Sequence, residues 1–310
     1  MINIYKTTEN GIEQFNELIN NCWIKVTDPT PEEINHLVAM DIPRDFITYP
    51  LDIDELSRSE REDDGTLLII VRIPIFQGKT SDIPYSTIPL GIIVSNKYIV
   101  TITRQSYALL DDFAAGKMRG FSTGKRYRFI LRLLLNVANN YLVFLREINK
   151  LTEQVEDRLQ SSIKNKEVME LLKYQKSLVY FTQGIRSNEV LMERLQRMKL
   201  FTQYEEDEDL LEDVITENQQ AISMTEISTN IMSSMVDAFA TIVSNNVNDV
   251  MKFLASMTIV LSIPSIVVGF FGMNVPLPMS DHPYAYIGVI LLFVILMAFV
   301  VYAFLKRDWF

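Results

Sequence analysis

The sequence predicts an α+β membrane protein. An N-terminal cytoplasmic α/β domain is followed by long cytoplasmic helices, and the last of these, a stalk, runs on into the first of two C-terminal transmembrane helices. Three observations carry this. Phe253–Phe271 and Tyr284–Leu305 contain no charged residue. Between Lys125 and Gly269 the only glycine is Gly184, and no proline intervenes before Pro264. The first third of the chain instead carries short β-rich runs punctuated by turn residues.

Taken in order, Trp23–Val26, Leu67–Ile75, Leu90–Val94 and Tyr98–Thr103 read as strands. Thr30-Pro31-Glu32-Glu33 supplies a cap, a proline in the first turn and a glutamate three residues after the cap, so a helix is expected from Thr30 to about Met40. The α/β domain spans 1–124 and closes in the glycine-punctuated Gly116–Gly124. Gly120–Arg126 superficially looks like a phosphate loop, but the spacing is wrong and Arg126 stands where a magnesium-binding Ser or Thr belongs. Long antiparallel helices fill 125–209, one from about Lys125 to Ser162 and one from about Lys166 to Phe201. A stretch without helix breakers supports nothing else. The acidic run Glu205–Asp209 reads as a separating turn that favours the next helix N-terminus, or as a surface that gathers divalent cations. The stalk then covers 210–271, 62 residues and on the order of 93 Å.

The uncharged stretches are 19 and 22 residues long, or about 28 and 33 Å of helix, which matches a hydrocarbon core. The link 272–283 contains three prolines, so the first span (253–271) and the second (284–305) form a hairpin, with a tail at 306–310. Lys252, Lys306 and Arg307 flank the hairpin while the link has no Lys or Arg. The positive-inside bias therefore puts both termini in the cytoplasm and the link outside, as for a multi-pass protein of the cell membrane. Tyr284, Tyr286, Tyr302 and Trp309 sit where amphipathic rings favour the interface. The first residues are polar and read neither as a signal region nor as a transit peptide.

Composition excludes much else. The 310 residues carry a net charge of −10, and the first 250 hold 26 basic against 37 acidic residues, unsuited to nucleic-acid phosphates. With only Cys22, His36 and His282 there is no internal disulfide, zinc cluster, di-iron site or histidine triad. No enzyme is expected, because no catalytic constellation converges.

Alternating steps of four and three from Asp237 give Asp237, Thr241, Ser244, Asn248, Met251, Ala255, Thr258, Ser262, Ser265 and Gly269. All are polar, small or thioether-bearing, and Ser256 is the sole polar residue of the first span off this seam. A 3.5-residue period keeps such a seam on one side of a left-handed supercoil. Two readings are open: close helix packing through small residues, or the wall of a water-filled path made by several copies around an axis. The seam's extension through Asp237 and Asn248, outside the lipid, favours the path. Without a carboxylate inside the span, its oxygens suit the waters of a hydrated cation, and magnesium dehydrates reluctantly. Met251, Leu254 and Leu261 would form an apolar constriction that gates by dewetting.

Phe270-Phe271-Gly272-Met273-Asn274, placed after the first of two C-terminal spans, resembles the signature of the CorA magnesium transporter family. The tail Lys306-Arg307-Asp308-Trp309-Phe310, the stalk segment Leu210-Leu211-Glu212-Asp213-Val214 and Asn248-Asp249-Val250-Met251-Lys252 are similar to family patterns. The resemblance is strong over about 205–310 and looser before. It implies a homopentamer in the lipid bilayer that admits Mg²⁺, and often Co²⁺ or Ni²⁺, down the membrane potential. It further implies a selectivity ring of Gly272, Met273 and Asn274, in which Asn274 offers its side-chain carbonyl to the hydrated ion. Asn248 and Met251 match pore-lining positions and Asp237 an acidic one. Mg²⁺ is then regulatory as well as transported. Asp213 matches one inter-subunit ligand, and Asp52 and Asp54 are the candidates for the other. Val275–Pro283 carries Asp281 as its one anion, where many relatives have an acidic entrance. The alternatives are a zinc transporter of the same superfamily and a membrane-anchored coiled-coil scaffold.

Overall fold

The structure is a computed structural model that describes residues 1–118, 120–161, 165–198, 200–201, 204–273 and 284–307. The chain divides into two units, Met1–Ser234 and Met235–Phe310.

In the first unit, the strands β1 (Ile2–Thr8), β2 (Gly11–Phe15), β3 (Cys22–Thr27), β4 (Arg58–Arg61), β5 (Leu67–Phe76), β6 (Tyr85–Val94) and β7 (Tyr98–Thr103) form one sheet ordered β2-β1-β3-β7-β6-β5-β4. Every pairing is antiparallel except β3 with β7. The four β-rich runs of the sequence are the central strands β3, β7, β6 and β5. These strands are buried on both faces, which is why they are continuously apolar. β1, β2 and β4 lie toward the margins and stay partly exposed, so they lack the apolar run that would announce a strand.

Alternation sorts the side chains between two faces. Ile24, Val26, Leu68, Ile70, Val100 and Ile102 face α1 (Pro31–Val38) and α2 (Arg44–Thr48), meeting Leu37, Phe46 and Ile47. The expected capping box of α1 is present: Glu33 N–H donates to Thr30 Oγ1 at 3.2 Å and Thr30 N–H to Glu33 Oε2 at 2.9 Å. On the opposite face Trp23 packs on Phe129, with ring centroids 5.5 Å apart, and donates to Thr101 Oγ1 at 2.9 Å. That face is covered by α3 (Ala108–Ala114), α4 (Arg126–Ser161) and α5 (Asn165–Gln196); Lys25 of β3 pairs with Asp111 of α3. Each fully buried Leu, Ile or Phe here contributes about 1.5–3 kcal/mol.

Gly184, the lone glycine of the helical region, has a tertiary reason. A Cβ there would stand 2.7 Å from Tyr141 Oη and 3.0 Å from Thr87 Cγ2, so glycine lets α5 lie close against the sheet. Gly184→Ala should therefore destabilise the protein, despite alanine's better helix propensity, by about 1–3 kcal/mol of overpacking. A thermal melt of the full chain checks this; an unchanged or raised midpoint would show that the neighbours yield freely.

α6 runs from Glu205 to Phe271 and α7 from Ala285 to Lys306. α6 opens five residues before the expected stalk boundary, so the acidic run is its first turn rather than a separate connection. Arg128 of α4 pairs there with Glu206 at 2.6 Å and Asp207 at 2.5 Å; this fits a helix start tied down by charge, not a cation-gathering surface. Within the first unit α6 buries Leu211, Val214, Asn218, Ala221, Thr225, Ser228 and Met232, a heptad seam. Asn218 Nδ2 donates across it to the Ile185 carbonyl of α5 at 3.3 Å.

Candidate ion path and its control residues

Among the described residues three helices are long and apolar enough to cross a membrane: α4, α6 and α7. The most apolar stretch of α4 is 56% buried inside the protein, whereas those of α6 and α7 are 11% and 0% buried. The α4 stretch is therefore core. The other two present uncovered apolar surface, and lipid is the solvent that suits it.

In the second unit α6 is helical through every seam position, so Asp237 to Gly269 share one face by the helical repeat. Asp237, Thr241, Ser244, Asn248, Met251, Ala255, Thr258, Ser265 and Gly269 are exposed and Ser262 is half-buried. The buried residues of the first span, Ser256 and Ile263, point to the far side. One open groove is lined by Asn245, Asn248, Asp249, Met251, Lys252 and Ala255. A second is lined by Thr258, Leu261, Ser262, Ser265 and Ile266. Six of the ten seam residues thus line grooves on this face.

Three of the seam hydroxyls have a common orientation. Thr241 donates to the Asp237 carbonyl at 3.0 Å, Thr258 to Leu254 at 2.8 Å and Ser262 to Thr258 at 2.7 Å. A hydroxyl has one proton and two lone pairs. With the proton spent on the carbonyl one turn back, these oxygens are left as acceptors. Waters around a cation point their hydrogens outward, so a row of acceptors is complementary to a hydrated cation and offers little to a hydrated anion. Pro264 has no N–H for the Val260 carbonyl, yet α6 continues through it to Phe271.

At the end of α6, Gly272 N–H donates to the Val268 carbonyl at 2.8 Å, and a Cβ on Gly272 would lie 2.9 Å from that oxygen. Glycine is needed there for the helix to close. Met273 is exposed. Asn274, the third residue of the expected ring, lies outside the described residues.

Of the expected control residues, Asp213 is exposed on α6 beside the buried Val214, and Asp52 and Asp54 are exposed after the short 3₁₀ turn Tyr49–Leu51. Asp52 Oδ1 accepts the Asp54 N–H at 3.1 Å. Among the described residues no three acidic, histidine or cysteine side chains converge to hold a metal within one chain. The three aspartates do not form a site by themselves in a single copy. Their hard oxygen donors suit Mg²⁺, and Ile53 and Leu56, 45% and 49% exposed, flank Asp54 with apolar surface.

Sequence reasoning missed Asn245, Asp249 and Lys252 as groove residues because they lie off the strict four-three step. The polar cluster Ser244-Asn245-Asn246-Val247-Asn248 was the available signal. Lys252 and Asp249 pair with each other at 3.0 Å, which offsets charge at the groove edge.

The family described as "CorA-like Mg²⁺ transporter protein" matches residues 20–307. The Cobalt/magnesium transport protein CorA of Methanocaldococcus jannaschii is 29% identical over 299 residues, covering 93% of this chain and 90% of that one. The complete structure of the CorA magnesium transporter from Methanocaldococcus jannaschii superposes with a TM-score of 0.87 at 24% identity, covering all of this chain and 99% of the other. The full-length CmaX protein superposes at 0.74 and 16% identity, covering 99% and 97%.

Proposed function

The chain belongs to the CorA family of Mg²⁺ transporter proteins, and from that premise we propose that it forms a homopentameric channel taking up Mg²⁺, with Co²⁺ and Ni²⁺ as further cargo, across the cell membrane. The observation that carries this reading is the row of acceptor hydroxyls on the exposed face of α6. Several copies turned so that these faces meet would enclose a path lined by Thr258, Ser262 and Ser265 in the span and by Asn248, Ser244, Thr241 and Asp237 below it. Such a lining accepts hydrogen bonds from the ion's own waters, so Mg²⁺ passes without the costly removal of its inner shell. A cation then moves down an inside-negative potential with about 2.3 kcal/mol per charge per 100 mV. Gly272, Met273 and Asn274 form the outer ring, and Met251 with Leu254 and Leu261 form the apolar narrowing below it.

Regulation follows from the same assembly. Asp213 of one copy and Asp52 or Asp54 of the next share Mg²⁺ when cytoplasmic Mg²⁺ is high, holding the ring closed. When it falls, the uncompensated carboxylates repel and the population shifts toward open. Both termini lie in the cytoplasm.

The test is flux into liposomes of the full chain, comparing Mg²⁺, Co²⁺, Ni²⁺ and Zn²⁺ with and without Mg²⁺ on the face carrying the termini. Mg²⁺ entry that rises with an inside-negative potential and falls with Mg²⁺ on that face is the expected result. Zn²⁺ entry outpacing Mg²⁺ would turn the reading to a zinc transporter, and no cation flux at all would leave an anchored scaffold.

A further inference from the structure

Arg72 of β5 is 7% exposed, and all its polar groups are engaged. Nε donates to Thr87 Oγ1 at 3.2 Å, and Nη2 donates to Thr87 Oγ1 and to the Thr87 carbonyl, each at 2.8 Å. Nη1 donates to the Ile53 carbonyl at 2.5 Å and the Glu55 carbonyl at 2.9 Å. Among the described residues no carboxylate forms an ion pair with this guanidinium. A cation buried among neutral oxygens is an expensive way to hold a fold, so its geometry points to a task.

The two carbonyls held by Nη1 bracket Asp54. The rest of the loop is closed onto the same clamp: Asp52 N–H donates to the Tyr49 carbonyl at 3.1 Å, Asp54 N–H to Asp52 Oδ1 at 3.1 Å and Glu55 N–H to the Asp52 carbonyl at 3.3 Å. The Glu55 carboxylate is drawn aside by Arg58 at 2.9 Å. That leaves Asp52 and Asp54 as the exposed carboxylates of a loop pinned from the interior. Burial pushes the Arg72 guanidinium below its usual pKa, opposed first by the Tyr141 phenol and then by the charge of Asp54.

The Arg72 peptide is itself gripped by the helices. β4 pairs with β5 only as far as Arg58 opposite Ile70, so beyond that point the edge of β5 has no strand partner among the described residues. Asn188 of α5 takes that place: its Oδ1 accepts the Arg72 N–H at 2.8 Å and its Nδ2 donates to the Arg72 carbonyl at 2.8 Å. Tyr141 of α4 donates to the same carbonyl at 3.0 Å.

We propose that Arg72 is the positioning residue of the regulatory loop, holding Asp52 and Asp54 for Mg²⁺ capture and joining that loop, through its own peptide, to α4 and α5. The proposal rests on the reading of Asp52 and Asp54 as regulatory ligands. A planar fork with five donors does this, whereas a lysine ammonium keeps the charge but not the two-carbonyl grip.

The experiment is limited proteolysis of the detergent-solubilised full chain across a range of Mg²⁺, read as the concentration giving half-protection, with the thermal midpoint measured without Mg²⁺. R72K should raise the half-protection concentration about tenfold, as loss of a residue that orients metal ligands does. Leu178→Ala, which removes a fully buried core side chain of α5, should lower the thermal midpoint and leave half-protection in place. R72K that behaves like L178A would show a merely structural arginine and overturn the proposal. If R72K does not fold, Thr87→Val removes the hydroxyl that accepts from both Nε and Nη2 and should raise half-protection at least about threefold, since two hydrogen bonds to the fork are lost; no change would again overturn it. Asp54→Asn separates the two layers: an unmoved half-point there removes the regulatory reading itself, while a raised one with R72K unmoved removes only the role of Arg72.

Discussion

In the proposed channel, replacing Ser262 and Ser265 together by leucine should all but abolish Mg²⁺ entry into liposomes and leave the fold intact. Both residues line one groove on the uncovered face of α6, along with Thr258, and neither is fully buried, so larger side chains do not overpack a core. What they remove is acceptor oxygen. In the proposed ring of copies each substitution recurs at every subunit, and each lost hydrogen bond to a water of the hydrated ion is worth about 0.5–1.5 kcal/mol. A leucine collar at that depth also dewets. Together these effects lower flux by on the order of 100-fold or more. Ser256→Ala is the matched control. Its hydroxyl makes the same backbone bond, to the Lys252 carbonyl at 2.7 Å, but the residue is fully buried on the far side. Flux in that variant should stay within about twofold, the effect of a single neutral hydrogen bond. The reverse pattern, with S256A dead and the double leucine variant conducting, would put the path on the other face of α6.

The second large effect is expected at Asn274. Gly272 bonds back to Val268 at the end of α6, and Asn274 follows two positions later in the sequence, at the end assigned to the outer face in the proposed channel. A ring of side-chain carbonyls there, as proposed, would take the place of outer-shell waters of Mg²⁺ without displacing the inner ones. Asn274→Ala would remove the proposed ring's acceptors, and Mg²⁺ flux should drop at least about tenfold, since every subunit loses a bond to the ion's coordinated water. Asn274→Asp should also slow flux, for the opposite reason: a ring of carboxylates binds the ion too tightly to release it. Measuring both at several Mg²⁺ concentrations separates the cases, because the aspartate variant saturates at lower Mg²⁺. Normal flux in Asn274→Ala would remove the selectivity role from this residue.

The parts of the fold that were legible from sequence are those where one physical requirement acts on many consecutive residues. A hydrocarbon layer excludes charge over a whole span, and Phe253–Phe271 and Tyr284–Leu305 display that exclusion. Central strands buried on both faces stay apolar throughout, so β3, β5, β6 and β7 stood out. The Thr30-Pro31-Glu32-Glu33 cap was readable because a capping box is local chemistry. Marginal strands escaped: Arg58–Arg61 of β4 is wholly polar, and only its ladder to β5 makes it a strand. The acidic run was misplaced for a related reason. Carboxylates suit a turn and a helix start alike, and Arg128, some eighty positions earlier in the chain, decides between them.

The candidate site divides the same way. A seam repeating every three or four residues is a property of one helix, so the expectation that its ten positions share a face could be framed from sequence alone, and the structure added the backbone carbonyls to which Thr241, Thr258 and Ser262 donate. The clamp on Asp54 had no such trace. Arg72, Thr87 and Asn188 are far apart in the chain, and a lone arginine inside a β-rich run looks like an ordinary strand residue. The sequence by itself determined the local periodicities, the uncharged spans and the caps, because each is enforced by solvent or by neighbours a few residues away. Only the tertiary structure decided why Gly184 must be glycine, what fills the open edge of β5, and how a buried cation holds an acidic loop. Those depend on atoms meeting within about 3 Å across distant segments, where hydrogen bonding and steric exclusion act.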